Sequence, residues 1–497
     1  MDTTFKFIDL FAGIGGFYQG LSKNGGECIG YSEINKDAIE SYCENYDEKI
    51  ENNLGNITKI KKLPNHDILT AGVPCQSWSI AGKNLGFDDD RGQLWNDTIY
   101  LLNQSRPKVF IFENVKGLVD PRNKKALSYI LERISKAGYF ANYYLLNSYD
   151  YGVAQNRMRV YIIGFKEKKY YDLFNVPKPL IKKIKLADIL GVKIKQHKNY
   201  IVNKDLFGNE IKSKNMSLSN TNGFNDYFLF NDLRNGDTTI HSWDILSTSN
   251  RQKEICYILL KNRRKSAYGK LDGNPLSLKH FQSLDGSITK KEIETLVELE
   301  IFKEIDYIFE IKKHKIDILT VEEKLILDKS IDNQIVLDTL KMDKTLKLKG
   351  ISIIKTISSL KDKKVLEIKE LRYDFKNSKI STGLFGVNRI FLPNSNIFPT
   401  LVASDTNDYI TLKDIPHTSN YKKDFLEQVY FSNYYRKITK KEACRIQGFS
   451  DDFKLPSSRA RWMKLIGNSV SIPVIEILTK AIIDTKVFNS SPSQTPK

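Results

Sequence analysis

Through roughly the first 165 residues, short apolar runs alternate with amphipathic stretches. Phe5 to Leu10 and Ile68 to Ala71 read as short strands. Val109 to Phe112 and Val160 to Ile163 are almost continuously apolar, the pattern of parallel strands buried on both faces. Lys125 to Ala137 has helical spacing and stops before Gly138. Strand–helix alternation of this kind predicts an α/β, doubly wound sheet. From about 166 to 435 the alternation fades and basic clusters recur, at Lys182-Lys183-Ile184-Lys185 and Lys261-Asn262-Arg263-Arg264-Lys265. One unit stands out there. A helix over about Gln252 to Leu260 is followed by capping-box spacing at Thr289-Lys290-Lys291-Glu292, with Ile293, Leu296 and Val297 on one helical face, and then a strand over Ile305 to Ile311. Together they predict a winged-helix-like insert near 250–315. Near the end, Val470 to Ile483 alternates helically with Pro473 in its first turn, and the Ser/Pro-rich segment 488–497 reads as a disordered tail.

Composition narrows the class. The 497 residues, 41% hydrophobic and 27% charged, suit a folded protein of several domains. No apolar run approaches the roughly 18 residues a membrane span needs, and the first residues lack the basic start of a signal peptide. Five cysteines without a CxxC pair argue against a disulfide framework or a zinc ribbon. The expectation is a soluble, reduced, intracellular protein. Seventy-seven Lys and Arg against 59 Asp and Glu leave a charge of +18, which favours a polyanionic partner, nucleic acid first.

Five motifs carry candidate chemistry. The turn Asp9-Leu10-Phe11-Ala12-Gly13-Ile14-Gly15-Gly16 follows a strand and opens a helix, and its glycines allow a ligand close to the backbone. Glu33, about 20 positions on at a second strand's tip, is placed to accept ribose hydroxyls. This points to a nucleoside, with NAD and S-adenosylmethionine both open. Pro74-Cys75-Gln76-Ser77 follows the strand at 68–71, where α/β sheets put ligands, so Cys75 is a candidate nucleophile. The stretch from Ile80 to Trp95 reads as a loop able to close over it. Glu113-Asn114-Val115 ends an apolar strand, where desolvation raises a carboxyl pKa toward proton donation. In Gln155-Asn156-Arg157-Met158-Arg159, period-two spacing puts Gln155, Arg157 and Arg159 on one face, two guanidinium forks suited to carbonyl or phosphate oxygens. Gly467-Asn468-Ser469-Val470 offers N-caps to the last helix.

Taken in this order, the motifs resemble the cytosine-C5 DNA methyltransferase family. The match rests on 9–17, 74–79, 113–115, 155–159, Arg436-Lys437-Ile438-Thr439 with Glu442 to Phe449, and 467–470, and Pro399-Thr400-Leu401 resembles that family's short Thr-Leu signature. The resemblance implies a Rossmann-like methyltransferase domain at 1–180, completed by 466–487, with a large target-recognition domain at 181–465. It implies that Asp9, Phe11, Ala12, Gly13, Gly15, Gly16, Glu33, Asn56, Pro74, Asn468 and Ser469 hold S-adenosylmethionine, with no metal. Phe11 would lie against the adenine and Glu33 on the ribose. Cys75 would attack C6 of a flipped-out cytosine, Glu113 would bind N3 and the exocyclic amine, and Arg159, helped by Arg157, would hold O2. Two positions depart from the pattern: Asn56 stands where an Asp is common, and Asn156 where a basic residue is usual. The implied partners are double-stranded DNA and a companion restriction endonuclease, with no membrane, for a monomeric cytoplasmic enzyme encoded by a bacterium or phage. An RNA cytosine methyltransferase is the alternative the long middle region disfavours. A non-catalytic DNA-binding relative is disfavoured by the presence of both Cys75 and Glu113.

Overall fold

The computed structural model describes residues 4–74, 90–194, 226–229, 238–312, 319–377, 383–416, 418 and 420–489. The N-terminal part contributes β1 (Phe5–Leu10), β2 (Gly26–Ser32), β3 (Ile68–Gly72), β4 (Val109–Val115), β5 (Phe140–Asn147), the two-residue β6 (Gln155–Asn156) and β7 (Met158–Phe165). Among the described residues, six of these form one sheet in the order β2-β1-β3-β4-β7-β5. β2, β1, β3 and β4 are parallel, whereas β7 runs antiparallel to both β4 and β5. The apolar run at 160–163 therefore reports two buried faces but not strand direction, and the parallel expectation fails for β7.

Helices α1 (Gly16–Ser22), α2 (Lys36–Tyr46), α3 (Asp90–Ser105), α4 (Lys124–Lys136) and α5 (Lys168–Leu173) follow the strands. One face of the sheet buries Leu69, Phe110 and Phe112 against Trp95, Ile99 and Leu102 of α3 and Ile130 and Ile134 of α4. The other buries Phe5, Phe7, Ile111 and Ile163 against Phe17 and Leu21 of α1. Strand order reverses between β1 and β3. Their carboxyl ends, Leu10 and Gly72, are therefore the topological switch point, where open α/β sheets hold ligands.

The middle of the chain contributes α6 (Leu186–Leu190), β8 (Asp226–Leu229), β9 (Thr239–Ile240), α7 (Ser242–Ile245), α8 (Asn250–Asn262), β10 (Leu276–Ser277), α9 (Leu278–Leu284), α10 (Lys290–Glu298) and β11 (Phe302–Ile311). Then come α11 (Val321–Leu327), β12 (Gln334–Val336), α12 (Leu337–Met342), α13 (Lys344–Leu348), α14 (Ile353–Asp362) and β13 (Leu366–Phe375). Capping boxes at Ser249/Gln252 and Thr289/Glu292 start α8 and α10. α8, α9 and α10 share one core with the strands, built on Ile255, Leu259, Phe281, Ile293, Phe302 and Phe375. The long partner of β11 is β13, so this three-helix unit extends beyond 250–315 and closes only after an insertion. The chain leaves the hairpin past Ile311 and returns at Leu366, with the Lys312 N–H donating to Val365 O at 2.9 Å. The inserted residues pack Ile326, Leu340, Leu346 and Leu360 onto Tyr307 and Phe309 of β11.

The last part holds β14 (Arg389–Phe391), β15 (Phe398–Pro399), β16 (Asp408–Ile410), α15 (Tyr421–Phe425), α16 (Lys440–Gln447), α17 (Arg459–Asn468) and α18 (Ile472–Asp484). A small sheet runs β16-β14-β8-β9, and β15 pairs with β6. The expected boundary at 465 falls inside α17. α16 and α17 bury Ile446, Trp462 and Ile466 with Ile14 and Ala38, and Arg461 pairs with Asp37 of α2. The N-terminal body is thus completed well before 466. Gly467 and Asn468 end α17 rather than capping α18, whose N-cap is Ser471, so the capping reading of Asn468 and Ser469 fails. The stretch 459–484 is apolar and long enough to cross a bilayer by composition, but it is mostly buried here and is broken at 469–471. The expected tail starts later than 488, because Phe488 stacks on Phe5 at 4.8 Å; residues 490–497 lie outside the described residues.

Candidate active site

At the switch point the chain leaves β1 through a left-handed turn. Gly13 (φ 57) and Gly15 (φ 80) take backbone angles that favour glycine. Phe11 adopts φ 54, costly for a bulky residue and a mark of a site held by its surroundings. A Cβ on Gly13 would meet nothing within 4 Å, so the turn faces open space there. Glu33 fixes it from β2: one carboxylate oxygen accepts the Gly13 N–H at 2.8 Å, the other the N–H groups of Ile34 and Asn35 at 2.7 and 2.8 Å. Ala12 N–H bonds Ser32 O. On the turn's inner side, the Tyr46 hydroxyl of α2 donates to the carbonyls of Ile14 and Gly15 (2.9 and 3.0 Å), and a Cβ on Gly15 would strike its ring at 2.2 Å. Tyr46 has no motif signature in the sequence and was missed there.

Asp9 lies fully buried below the turn. Thr70 donates to one of its oxygens at 2.9 Å, and the other, Oδ2, has no partner among the described residues. Burial pushes its carboxyl up to about 7, with Thr70 opposing and Glu33 adding to the rise. Asn56 does not present a free acceptor. Its side-chain oxygen accepts the Thr58 N–H and hydroxyl at 3.0 and 3.1 Å, capping a short 3₁₀ turn, so the acceptor role implied for it is already taken.

The second strand of the switch point ends at Gly72 and is followed by Val73 and the half-buried Pro74. Cys75 and residues 80–89 of the expected loop lie outside the described residues; from Asp90 the chain is the helix α3, so the loop expectation fails for 90–95. Three of the other cysteines have thiols pushed up by burial, Cys28 and Cys444 to about 12, which keeps them neutral at physiological pH. Beside β3, Asn114 of β4 donates from its amide to Val73 O at 3.2 Å, tying the residue before Pro74 to the Glu-Asn-Val motif.

Glu113 is 8% exposed, and its carboxylate oxygen lies 3.0 Å from the Nε of Arg159. The two come together because β4 and β7 pair antiparallel, with Arg159 opposite Val115 and diagonal to Glu113. Desolvation raises the Glu113 pKa, against the pull of Arg159 and Arg157. Tyr161 sits directly across from Glu113, fully buried, and its hydroxyl has no hydrogen-bond partner among the described residues. Nothing in its sequence context marked it.

Arg157 goes elsewhere. It is 1% exposed, with Nη1 donating to Leu401 O (3.1 Å) and Nη2 to Gly467 O and Ser469 O (3.0 and 2.7 Å). Gln155 donates to Ile446 O and Gln447 Oε1 and accepts the Leu401 N–H, while Gln447 donates to Ser469 O. The expected single face of Gln155, Arg157 and Arg159 is therefore divided. Arg159 meets Glu113, whereas Gln155 and Arg157 form a buried knot joining 400–401, 446–447 and 467–469. A base-holding role for Arg157 is corrected, because its donors already serve three backbone carbonyls. Ser469 reaches the glycine turn: a Cβ on Gly16 would lie 2.7 Å from its hydroxyl. Asn468, at the end of α17, is exposed.

The profile of the C-5 cytosine-specific DNA methylases matches residues 5–324 and, in a second overlapping segment, 287–484. The type II methyltransferase M.HgiBI of Herpetosiphon aurantiacus is 40% identical over 490 residues, 97% of this chain and 98% of that one. M.NlaIV of Neisseria lactamica is 30% identical over 512 residues, 97% and 99% of the two chains. M.HhaI of Haemophilus parahaemolyticus is 40% identical over 190 residues, covering 38% of this chain and 57% of that one.

Proposed function

Because the chain belongs to the C-5 cytosine-specific DNA methylase family, we propose that it methylates C5 of one cytosine within a defined sequence of duplex DNA, flipped out of the helix. The observation that carries this reading is convergence at the switch point. The glycine turn after β1, the chain leading to Cys75 after β3, and the Glu113–Arg159 pair at the end of β4 meet on three neighbouring strands.

The family implies S-adenosylmethionine, and the residues present fit it. Gly13 faces open space, Asp9 keeps an oxygen without a partner among the described residues, and Glu33 retains acceptor capacity beyond its three backbone bonds. When bound, this cofactor supplies the methyl group. Phe11, Ala12, Gly13, Gly15 and Gly16 would cradle it with Pro74, Asn468 and Ser469, and Glu33 would hold the ribose. Cys75 adds as thiolate to C6 of the cytosine. Glu113, whose pKa burial raises, donates to N3 as charge develops there, and Arg159 both orients Glu113 and reaches the base O2. Saturating C6 turns C5 into a carbon nucleophile. C5 then takes the methyl group, gives its proton to water, and as N3 returns its proton to Glu113 the C6–S bond breaks and Cys75 leaves as thiolate.

Relatives named as type II methyltransferases support a place in a restriction–modification system; a companion endonuclease for the same site and a monomeric cytoplasmic enzyme of a bacterium or phage are part of the same proposal. Bisulfite sequencing of DNA from an expressing host tests the activity. 5-Methylcytosine confined to one motif, and lost with Cys75→Ala, is expected. Incorporation into tRNA but not duplex DNA would replace this reading with the RNA one.

A further inference from the structure

The three-helix unit of α8, α9 and α10 contributes no residue to the site described above. In helix-turn-helix readers the second helix enters the DNA groove. The corresponding helix here, α10, is a poor electrostatic candidate. Its exposed ends carry Lys290, Lys291 and Glu298, and Lys290 pairs with Glu294 at 2.9 Å. Arg251 on α8 is likewise neutralised, by Asp285 and Glu292 at 2.8 and 3.0 Å.

Positive charge gathers at the opposite end, where α8 runs into the loop before β10. Lys261, Lys265 and Lys270 are exposed there and form no ion pair among the described residues. The loop is ordered from beneath. Arg263 is buried against Asp374, Asn274 N–H bonds Arg263 O, Asn274 Oδ1 accepts the Leu271 N–H, and Arg372 donates to Tyr268 O. The Lys270 N–H donates to Asp338 of α12, which fixes the loop against the insertion. Ammonium groups on a rigid base lose less entropy on meeting a polyanion than groups on a free tail.

We infer that the last turn of α8 and the loop to β10, through Lys261, Lys265 and Lys270, form a contact surface for the phosphate backbone of the duplex the enzyme methylates. It presents the unit to DNA by this end and not by α10. The inference rests on DNA as the substrate; the partner is the sequence-independent backbone, since lysines here act as point charges.

Binding of the full-length enzyme to a duplex carrying its methylation motif, measured against salt, tests this. Each phosphate contact contributes about 0.9 to the slope of log affinity on log salt, so Lys261→Gln/Lys265→Gln/Lys270→Gln is expected to flatten it by about 2–3. The ratio of wild-type to variant affinity then shrinks roughly 40-fold between 50 and 200 mM salt, with kcat at saturating DNA unchanged. Single variants should each remove about 0.9, which separates the effect from misfolding. Coincident slopes for wild type and triple variant overturn the proposal. So does a flattened slope in Lys290→Gln/Lys291→Gln with none in the triple variant, which would turn α10 to the DNA. Wild-type enzyme that binds no duplex at all would instead refute the DNA reading beneath it.

Discussion

Replacing Arg157 with Met separates two roles that the sequence leaves joined. Its guanidinium donates to Leu401 O, Gly467 O and Ser469 O at 3.1, 3.0 and 2.7 Å, and the residue is 1% exposed. Met keeps the apolar stem and removes every donor, leaving three buried carbonyls without this partner. An unmade buried hydrogen bond costs about 1–3 kcal/mol. The three share one side chain and relax together, so the loss should be about 3–5 kcal/mol, the range for breaking a buried charged contact. That is a large part of a typical stability of about 5–15 kcal/mol. Urea unfolding followed by tryptophan fluorescence, with Trp462 on α17 beside the knot as reporter, should show the midpoint fall by about 1 M or more. Arg157→Lys should recover only part of the loss, because an ammonium has no planar fork. An unchanged midpoint with collapsed kcat would refute the reasoning and return Arg157 to the cytosine.

Three further outcomes are expected. Burial raises the folded-state pKa of Glu113, so its protonated form favours folding at low pH and that contribution is lost as pH climbs through the folded value. Glu113→Gln should therefore gain thermal stability on wild type as pH rises from the acid side, and a difference that is flat or falls with pH contradicts the assignment. Tyr46→Phe removes the donor to Ile14 O and Gly15 O, about 1 kcal/mol, and should weaken S-adenosylmethionine binding roughly fivefold in calorimetry with kcat at saturation preserved; an unchanged Kd means the turn holds itself. A Cβ at Gly467 would lie 2.6 Å from the Ala403 nitrogen and the Val402 carbonyl carbon, both backbone, so Gly467→Ala should cost about 1–3 kcal/mol in a thermal melt, and an unaltered melting curve would show that the 402–403 segment yields.

Elements whose determinants are local were legible in the sequence. The apolar run at 109–112 lies within β4, the helix at 125–137 within one residue of α4, and the capping box at Thr289 starts α10. What was illegible depends on partners far along the chain. Arg157 reads like Arg159, its neighbour at period two, until Leu401, Gly467 and Ser469 arrive from 244 to 312 residues away. Asn468 and Ser469 have good capping chemistry, but α17 continues through Asn468 and the next helix starts four residues later, at Ile472, capped by Ser471. At the site, motif residues carried their own signal. Tyr46 and Tyr161 did not, because an aromatic residue on a helix or a buried strand is ordinary until its hydroxyl is placed.

The insertion between β11 and β13 enters and leaves the hairpin at one rung, the Lys312 N–H to Val365 O bond, with Ile311 and Leu366 still paired. Chain length at such a tip can drift with little thermodynamic consequence, since loop-closure entropy grows only logarithmically. The outward face of β11 has no such freedom. Tyr307 and Phe309 are each 1% exposed, covered by residues of the insertion. A shortened lineage, or a truncated laboratory form, could close the hairpin with a tight turn in unchanged register, yet it would bare two aromatic rings on a long strand and invite edge-to-edge aggregation. Polar replacements at 307 and 309 would have to accompany the deletion, so length at the tip and side-chain chemistry on the strand are expected to change together.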